Sequence, residues 1–463
     1  MGKYFGTDGF RGEANVELTA LHAFKIGRFL GWYYGSPLSP RHIPGKVPQI
    51  VIGKDTRRSS YMLEYALGAG IAASGADAYM MHVTTTPSVS YITRLDNFDC
   101  GVMISASHNQ FSDNGIKIVN RDGEKMDDGT IALIESYLDG DLSPFGLSTP
   151  DLPLATGDRI GRTVDYAAGR NRYVGYLITL AHVSFKNLRI GLDCANGSAW
   201  MIAKSVFDAL GAKTYVMGVD PDGTNINRDV GSTHIEGLRH FVMGNELDMG
   251  FAFDGDADRC LAIDENGNVI TGDHILYIFG KHLKDRGDLY KNTVVTTIMS
   301  NLGLYKAFER EGIDYVKTDV GDRFVYECMA ENGYRVGGEQ SGHIILSKFA
   351  TTGDGILTAI KLAEAVVDHK APLSVLASGM TEFPQVLKNI KVANKDEATE
   401  DPEVLAEVER VSSELGSDGR VLLRRSGTEP VVRVMAEAPT RETCEWCVNR
   451  IIEVIAKRGH IRP

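Results

Sequence analysis

The sequence predicts a multidomain α/β protein, with three consecutive mixed α/β/α domains followed by a C-terminal α+β domain. Apolar runs typical of buried strands alternate with segments of helical periodicity as far as residue 370. From residue 371 the order changes to a strand, an acidic helix, two strands and a final helix, which is typical of an α+β sheet with helices on one side. At 463 residues the chain is too long for one hydrophobic core, and its length alone indicates about three or four domains.

The predicted domain boundaries fall where the composition changes. Residues 139–165 are polar with scattered proline and glycine, which is typical of a boundary. The segment Lys370-Ala371-Pro372 is interpreted as a hinge before a smaller last domain. An apolar strand leading into an acidic loop at residue 254 is taken to open the third domain. The predicted domains are residues 1–150, 151–249, 250–370 and 371–463.

Composition excludes several classes of partner. The net charge of −12 argues against a nucleic acid or an anionic membrane, because either would need a basic face. The N-terminus lacks a signal-peptide pattern and no apolar run approaches 18 residues, so we expect a cytoplasmic protein.

Six cysteines do not form a disulfide framework. Cys444 and Cys447 have redox or zinc spacing, but their segment has helical periodicity and we expect a helix facing the core.

Ser107 is the first candidate nucleophile. The apolar strand at residues 100–104 ends in Ser-Ala-Ser-His-Asn, residues 110–115 have turn chemistry, and a second strand follows at 116–119. A serine on a loop between strands suits catalysis but needs an activator. His108 is adjacent in sequence, which rarely gives hydrogen-bonding geometry, so we do not expect a Ser-His hydrolase dyad. Taken alone, a loop of this kind more often serves only to satisfy backbone groups.

The second candidate site is an acidic loop. Asp254, Asp256 and Asp258 follow an apolar segment at i, i+2 and i+4, a spacing that can direct three carboxylates at one hard cation. The spacing resembles the start of a calcium loop, but Arg259 and the strand at 260–263 occupy the positions where that loop would continue. Three carboxylates leave coordination positions open, which suits Mg²⁺ bound to a phosphate oxygen. The alternative is an acidic surface turn.

Four loops together carry a resemblance to a known family. They are Ser-Ala-Ser-His-Asn at 105–109, Asp-Gly-Asp-Ala-Asp-Arg at 254–259, Gly-Glu-Gln-Ser-Gly-His at 338–343 and Arg-Arg-Ser-Gly-Thr-Glu-Pro at 424–430. In this order and rough spacing they resemble the signature loops of the α-D-phosphohexomutases, over essentially the whole chain. The resemblance implies the four-domain phosphohexomutase architecture. One departure is Gln110, where the family usually has proline.

The resemblance implies an isomerase that moves phosphate between O6 and O1 of a hexose. Ser107 would carry the phosphate as phosphoserine, and the three aspartates with that phosphate would bind one Mg²⁺ per subunit. Arg11 and Lys117 resemble the family's cationic partners of the transferred phosphate. Lys117 is also a candidate general acid or base, if burial among cations lowers its pKa; the alternative is a solvated strand lysine.

The other site residues follow from the same resemblance. Arg259 would orient the carboxylates or the phosphoserine, or form only a structural salt bridge. Glu339, Ser341 and His343 would bind the sugar O3 and O4, and His343 could instead be a proton shuttle or a core residue. The last loop would hold the phosphate that is not transferred; Arg433 could add to it or be a surface residue. The phosphate-binding candidates are Arg424, Ser426, Gly427, Thr428 and Arg433.

The expected substrate is an amino sugar. Residues 3–12 and 320–325 resemble the branch of the family that acts on glucosamine phosphate. This predicts interconversion of glucosamine 6-phosphate and glucosamine 1-phosphate for UDP-N-acetylglucosamine and cell-wall precursors, with glucosamine 1,6-bisphosphate or glucose 1,6-bisphosphate as activator. The main alternative is a glucose or mannose phosphate mutase. A metal-dependent phosphatase and a binding protein with a dead site are weaker alternatives. The expected partner is a small phosphosugar, and the expected assembly is a homodimer.

Overall fold

The computed structural model describes residues 2–147, 149–426 and 431–462. They form two compact units. The first unit comprises Met1–Met299 and Ile313–Ser378, and the second comprises Ser300–Gly312 and Gly379–Pro463. Within the described residues, no helix combines the length and the hydropathy that are needed to cross a bilayer.

The N-terminal part of the first unit is built on a mixed sheet in the strand order β1-β2-β6-β5-β3-β4-β7. Strand β3 is parallel to β4 and β5, whereas β5 and β6 are antiparallel. The core between this sheet and its helices contains Phe29, Ile50, Leu67 and Val102. The elements are β1 (Phe5–Gly6), β2 (Gly9–Glu13), α1 (Ala20–Tyr34), β3 (Gln49–Lys54), α2 (Arg58–Ala73), β4 (Asp77–Val83), α3 (Thr86–Leu95), β5 (Cys100–Ile104), β6 (Asp113–Asn120), α4 (Asp128–Leu138) and β7 (Thr163–Asp165).

The next sheet has the order β12-β11-β10-β8-β9 and carries the acidic loop between β10 and β11. Since β10 is parallel to β8, the predicted boundary between residues 249 and 250 falls within this sheet. We therefore propose that the second domain extends to the end of β12. The elements are α5 (Ala167–Leu180), β8 (Arg189–Asp193), α6 (Ala203–Ala209), β9 (Lys213–Met217), α7 (Glu236–Gly244), β10 (Met249–Phe253), β11 (Cys260–Asp264) and β12 (Val269–Ile270).

A third sheet, in the order β14-β13-β15-β16, completes the first unit. Helix α9 falls between β13 and β14 in the sequence but belongs to the second unit. The elements are α8 (Gly272–Asp285), β13 (Thr293–Thr297), α9 (Leu302–Glu311), β14 (Asp314–Thr318), α10 (Asp322–Asn332), β15 (Val336–Gly338), β16 (Ile344–Leu346), α11 (Gly355–His369) and α12 (Leu373–Ala377).

The second unit packs its helices on an antiparallel sheet in the order β17-β19-β18. The buried carboxylate of Glu437, at the end of β19, accepts the Leu302 N–H at the start of α9 at 2.9 Å. It also accepts from Arg420 Nε at 2.6 Å and from Asn301 Nδ2 at 3.4 Å. The remaining elements are β17 (Gln385–Lys391), α13 (Lys395–Glu400), α14 (Pro402–Leu415), β18 (Arg420–Arg425), β19 (Val431–Glu437) and α15 (Arg441–Lys457).

Local predictions are largely confirmed, with two instructive differences. Thr19, a residue type that favours the N-cap position, caps α1. Cys444 and Cys447 are buried on α15, as the helical periodicity of their segment predicts. The predicted turn at residues 110–115 is shorter, because Asp113 already pairs with Glu13 of β2. The helical pattern of the sequence extends back to Asp165, but α5 begins at Ala167, because residues 163–165 pair with β4 as a parallel edge strand.

Candidate active site

The Ser107 loop and the acidic loop meet. Ser107 is 1% exposed, and its Oγ donates to Asp254 Oδ2 at 2.5 Å. Its backbone is left-handed, with φ of 52°, which is uncommon for a residue with a side chain and is typical of functional loops. The structure therefore brings the predicted nucleophile to the predicted metal ligands, which lie about 150 residues later in the chain.

One expectation about this loop is wrong. His108 Nδ1 lies 3.3 Å from Ser107 Oγ, although neighbouring residues seldom meet in this way. The left-handed backbone at Ser107 turns the two side chains towards each other. Burial, followed by Arg259 and Arg11, lowers the pKa of His108 to about 4, so the ring is neutral. Since the single hydroxyl proton is directed to the closer carboxylate of Asp254, this contact does not make a hydrolase dyad.

The three aspartates form a buried cluster that can hold a metal ion. Asp254, Asp256 and Asp258 each offer a carboxylate oxygen, and these oxygens lie within 4.8 Å of one another. Asp256 Oδ1 and Asp258 Oδ1 are shielded from solvent and have no hydrogen-bond donor among the described residues. Burying carboxylates is costly unless a cation compensates them, so these oxygens fit a hard divalent cation. The alternative of an acidic surface turn is wrong.

The protonation of these carboxylates depends on what each one faces. Burial raises the pKa of Asp254 well above its ordinary value, and Asp258 and Asp256 raise it further. Burial acts in the same direction on Asp258, but Lys117 and His343 outweigh it and hold its pKa well below the ordinary value. The mutual repulsion of these buried carboxylates favours a bound cation.

Gly255 allows the two loops to approach. A Cβ at this position would lie 2.5 Å from the carbonyl oxygen of Ser107, which is closer than non-bonded atoms can come. Because the obstructing atom belongs to the backbone, no side-chain rotation could relieve the contact. The glycine inside the acidic loop is thus required by the approach of the serine loop.

Lys117 is buried on β6, so the solvated alternative is wrong. Its Nζ lies 2.9 Å from Asp256, 3.3 Å from Asp258 and 3.2 Å from Asp8. Burial lowers the pKa of Lys117, but the surrounding carboxylates more than offset this effect and raise it well above the ordinary value. The condition for a lowered pKa, burial among cations, is therefore not met, because the carboxylates outweigh Arg11, which is itself paired with Asp8.

Arg259 and Glu339 lie at the edge of the cluster. The Arg259 backbone N–H donates to Asp254 at 3.2 Å, and its Nε lies 3.9 Å from Asp258, so its guanidinium makes only a long ion pair there. Glu339 accepts the Gly321 N–H at 3.1 Å, and burial raises its pKa. Both alternatives for Arg259, orientation and a structural ion pair, stay open. Ser341 is half-buried on the same loop as Glu339.

His343 is buried beside the acidic cluster. Gly353 N–H donates to Nε2 at 3.0 Å, so in the neutral ring the proton is on Nδ1, 3.8 Å from Asp258. Burial lowers the pKa of His343, but Asp258, Asp322 and Glu339 raise it to about 9. His343 therefore forms an ion pair with one metal-binding candidate, Asp258, although its first predicted role was to bind the sugar.

The phosphate-binding candidates lie in the second unit. Arg424 of β18 is the direct cross-strand partner of Arg433 of β19. Burial, followed by Arg433, lowers the pKa of Arg424, and its Nε has no hydrogen-bond acceptor among the described residues. Adjacent like charges repel, so an anion between these guanidinium groups would be stabilising. Ser426 follows β18 and is buried, whereas Gly427 and Thr428 lie outside the described residues.

Two residues that position the serine loop were missed by the sequence interpretation. Arg57 Nη2 donates to the carbonyl oxygens of Ser107 at 3.1 Å and Asn109 at 2.6 Å. Asn227 Nδ2 donates to the same two oxygens at 2.8 and 2.9 Å. Arg57 lies in the polar run after β3, a signal that was visible but unassigned. Nothing in the sequence connects Asn227 with a loop about 120 residues earlier.

A buried serine hydroxyl, three converging carboxylates and a buried lysine define a metal-assisted phosphoryl-transfer enzyme of the multidomain α/β class. The comparisons with known proteins identify its family. Models of the phosphoglucomutase/phosphomannomutase α/β/α domains I, II and III match residues 2–143, 171–267 and 271–383, and the model of the C-terminal domain matches residues 387–454. The chain belongs to the phosphoglucomutase/phosphomannomutase family, which confirms the predicted resemblance and four-domain architecture.

Full-length relatives carry a more specific name. A phosphoglucosamine mutase of Lachnospira eligens is 64% identical over 99% of this chain and 100% of the relative. A phosphoglucosamine mutase of Bacillus subtilis is 49% identical over 98% of both chains.

Solved structures share the fold. A phosphoglucomutase/phosphomannomutase family protein from Burkholderia thailandensis has a TM-score of 0.77 at 22% identity, covering 99% of this chain and 98% of its own. The Aspergillus fumigatus N-acetylphosphoglucosamine mutase, solved with GlcNAc-6P and magnesium, has a TM-score of 0.69 at 18% identity, covering 98% and 96%. At these identities the similarity shows the fold alone.

Proposed function

We propose that this enzyme interconverts glucosamine 6-phosphate and glucosamine 1-phosphate, as an isomerase that supplies UDP-N-acetylglucosamine synthesis. The observation that carries the chemistry is the Ser107 hydroxyl, 2.5 Å from Asp254 within a buried three-carboxylate cluster. The relatives named phosphoglucosamine mutase, between 48% and 64% identical over nearly the full chain, support the substrate. The alternative is a glucose or mannose phosphate mutase of the same family.

In the proposed reaction Ser107 carries the phosphate that is transferred. Phosphoserine gives its phosphoryl group to O1 of glucosamine 6-phosphate, and the bisphosphate formed then returns the phosphoryl group on O6 to Ser107. A Mg²⁺ held by Asp254, Asp256 and Asp258 would neutralise charge on the transferred group. The residues fit this ion because two of their buried oxygens have no other partner among the described residues.

Lys117 and Arg11 supply positive charge from the protein itself. The raised pKa of Lys117 keeps its ammonium charged, so it can stabilise the phosphoryl group and give a proton to the departing serine oxygen. The transition state of phosphoryl transfer is loose, so the sugar hydroxyl loses its proton late. His343 has a pKa raised to about 9, so near neutral pH it is protonated and would have to lose its own proton before it could receive that one.

The other loops are proposed to hold the substrate. Glu339, Ser341 and His343 would bind the sugar hydroxyls, with Arg259 orienting the carboxylates or the phosphoserine. The phosphate that is not transferred would be bound by the second unit, where Arg424 and Arg433 are adjacent and Ser426 follows. Gly427 and Thr428 stay predictions for the same role.

We also propose how the enzyme is activated, how it assembles and where it is located. A bisphosphorylated sugar, glucosamine 1,6-bisphosphate or glucose 1,6-bisphosphate, would phosphorylate Ser107 and restore enzyme that has lost its phosphate. We also propose one Mg²⁺ per subunit, a homodimer and a cytoplasmic location. These proposals follow from the family resemblance and from the composition of the chain.

The substrate assignment is tested by specificity. With bisphosphate activator and Mg²⁺ present, kcat/KM for glucosamine 6-phosphate should exceed that for glucose 6-phosphate and mannose 6-phosphate. Glucosamine 6-phosphate differs from the other two substrates at C2. One polar contact to the group at C2 is worth roughly 0.5–3 kcal/mol, so the ratio of kcat/KM values should lie between about two and a hundred. An equal or higher value for glucose 6-phosphate would overturn the substrate and leave the mutase mechanism intact.

Replacing Arg424 with alanine tests the phosphate site. The variant should mainly raise KM, by about tenfold or more, because the lost charge-assisted contact serves the ground state and the transition state alike. Arg425→Ala is the matched control, since Arg425 is adjacent in sequence but pairs with Asp396. Steady-state kinetics of both variants provide the measurement. An unchanged KM with normal turnover in Arg424→Ala would contradict this role.

A further inference from the structure

A second pocket in the first unit shares no residue with the candidate active site. It has a volume of about 370 Å³, within the range of small-molecule sites. Its first wall follows the carboxyl ends of β3 and β4, two parallel strands, and includes Thr56, Arg58 and Tyr61. Its second wall includes Trp200, Pro221 and Asp222. A crevice outside the carboxyl ends of parallel strands is where α/β sheets commonly bind ligands.

The pocket offers two aromatic rings. Tyr61 and Trp200 both line the pocket and come from separate segments of the chain. Tyr61 is 44% exposed, and Lys54 Nζ lies 3.9 Å from its ring centroid. The Trp200 Nε1–H is shielded from solvent and has no acceptor among the described residues. Because Nε1 is not reached by solvent, Trp200 offers the pocket only the apolar surface of its ring, which favours stacking with a planar ligand.

The pocket also offers one free cation and one carboxylate. Arg58 is exposed, and its guanidinium makes no hydrogen bond or ion pair with the part of the chain that the structure describes. A free guanidinium in a pocket suits a phosphate. Asp222 is exposed on the opposite wall, where its Oδ1 accepts the Thr224 N–H at 2.6 Å. A carboxylate there would repel a phosphate but accept from sugar hydroxyls.

We propose that this pocket binds a mononucleotide. The base would stack against the rings of Tyr61 and Trp200. The phosphate would bind Arg58, and the ribose hydroxyls would donate to Asp222. Each chemical part of the ligand thus has one matching group on the protein.

Occupancy of the pocket would act on the serine loop. The two walls are joined by hydrogen bonds from Arg58 N–H to the Gly223 carbonyl, at 2.9 Å, and from Thr56 Oγ1 to the Asn196 carbonyl, at 2.6 Å. Arg57 and Asn227, which hold the Ser107 carbonyl, lie next to these wall segments in the chain. A ligand that ties the walls together would therefore restrain the loop that carries the nucleophile.

The test uses tryptophan fluorescence with AMP and UMP as probes, and inorganic phosphate and adenosine as partial ligands. Either nucleotide should change the emission saturably, and replacing Trp200 with phenylalanine should remove the change. Arg58→Gln should weaken nucleotide binding by about tenfold or more, since a charge-assisted contact is lost. Arg239→Gln, an exposed arginine on α7, should bind as the wild type does. Thermal melts of each variant establish that it is folded.

Hydrogen exchange supplies a second readout. With AMP or UMP bound, peptides that cover residues 105–109 should exchange more slowly than without nucleotide. Absence of saturable binding up to about 1 mM nucleotide, or equal binding by inorganic phosphate, would overturn the mononucleotide site. Undiminished binding by folded Arg58→Gln would also overturn it. Nucleotide binding with unchanged exchange at residues 105–109 would overturn the link to the serine loop.

Discussion

Replacing Ser107 with alanine is expected to reduce mutase turnover by about three orders of magnitude or more. The hydroxyl is the group that would carry the phosphate between the two sugar oxygens, and no neighbouring side chain can replace it as a nucleophile in the same position. Alanine would also remove the hydrogen bond to Asp254. A coupled assay measures turnover, and intact mass with peptide mapping of the wild type should locate one phosphate on Ser107.

Ser112→Ala is the matched control for this experiment. Ser112 lies on the same loop, is half-buried, and its side chain makes no hydrogen bond with the described residues. This variant should keep nearly full activity. Full activity in Ser107→Ala, or phosphate on another residue of active enzyme, would refute the assignment of Ser107.

The second large effect is expected at the acidic cluster. Asp256→Asn keeps the size of the side chain but removes one of three charges that would hold Mg²⁺. Metal affinity and turnover should each fall by about a hundredfold or more, because the ion loses a charged ligand in a buried site. Calorimetric titration with Mg²⁺ measures the affinity, and turnover as a function of Mg²⁺ concentration measures the consequence.

Asp314→Asn is the control for charge alone. Asp314 is exposed on β14 and is not part of the cluster, so its replacement should change neither quantity. The wild-type enzyme should lose activity in excess chelator and regain it when Mg²⁺ is added. Undiminished activity in chelator would exclude a role of the ion in catalysis.

The sequence was most informative where chemistry is carried by closely spaced residues. The Asp254, Asp256 and Asp258 spacing predicts convergence because the geometry is local, and the structure confirms it. The spacing of residues does not reveal whether a side chain is buried. The structure shows that Lys117 is a buried cation among carboxylates rather than a strand lysine in solvent. The contact of His108 with Ser107 required the left-handed backbone of one residue, which a sequence pattern does not reveal.

Long-range relations were the least predictable. The acidic loop was assigned to the third domain because an apolar strand precedes it, but β10 pairs with β8 and places it in the second sheet. Asn227 supports the serine loop through contacts between segments that are far apart in the chain. Such contacts depend on how sheets are assembled, and periodicity reports only the local element.

The second unit is discontinuous in the chain, since α9 joins residues 379–463. A fragment that starts at Gly379 would lack Asn301 and Leu302, and the buried Glu437 would lose two hydrogen-bond donors. A buried carboxylate without its donors is costly, so such a fragment would be less stable than the intact unit. Gene recombination at one junction near residue 379 would therefore transfer the second unit without α9. Exchange of this unit between related enzymes requires that two separate stretches of the gene move together.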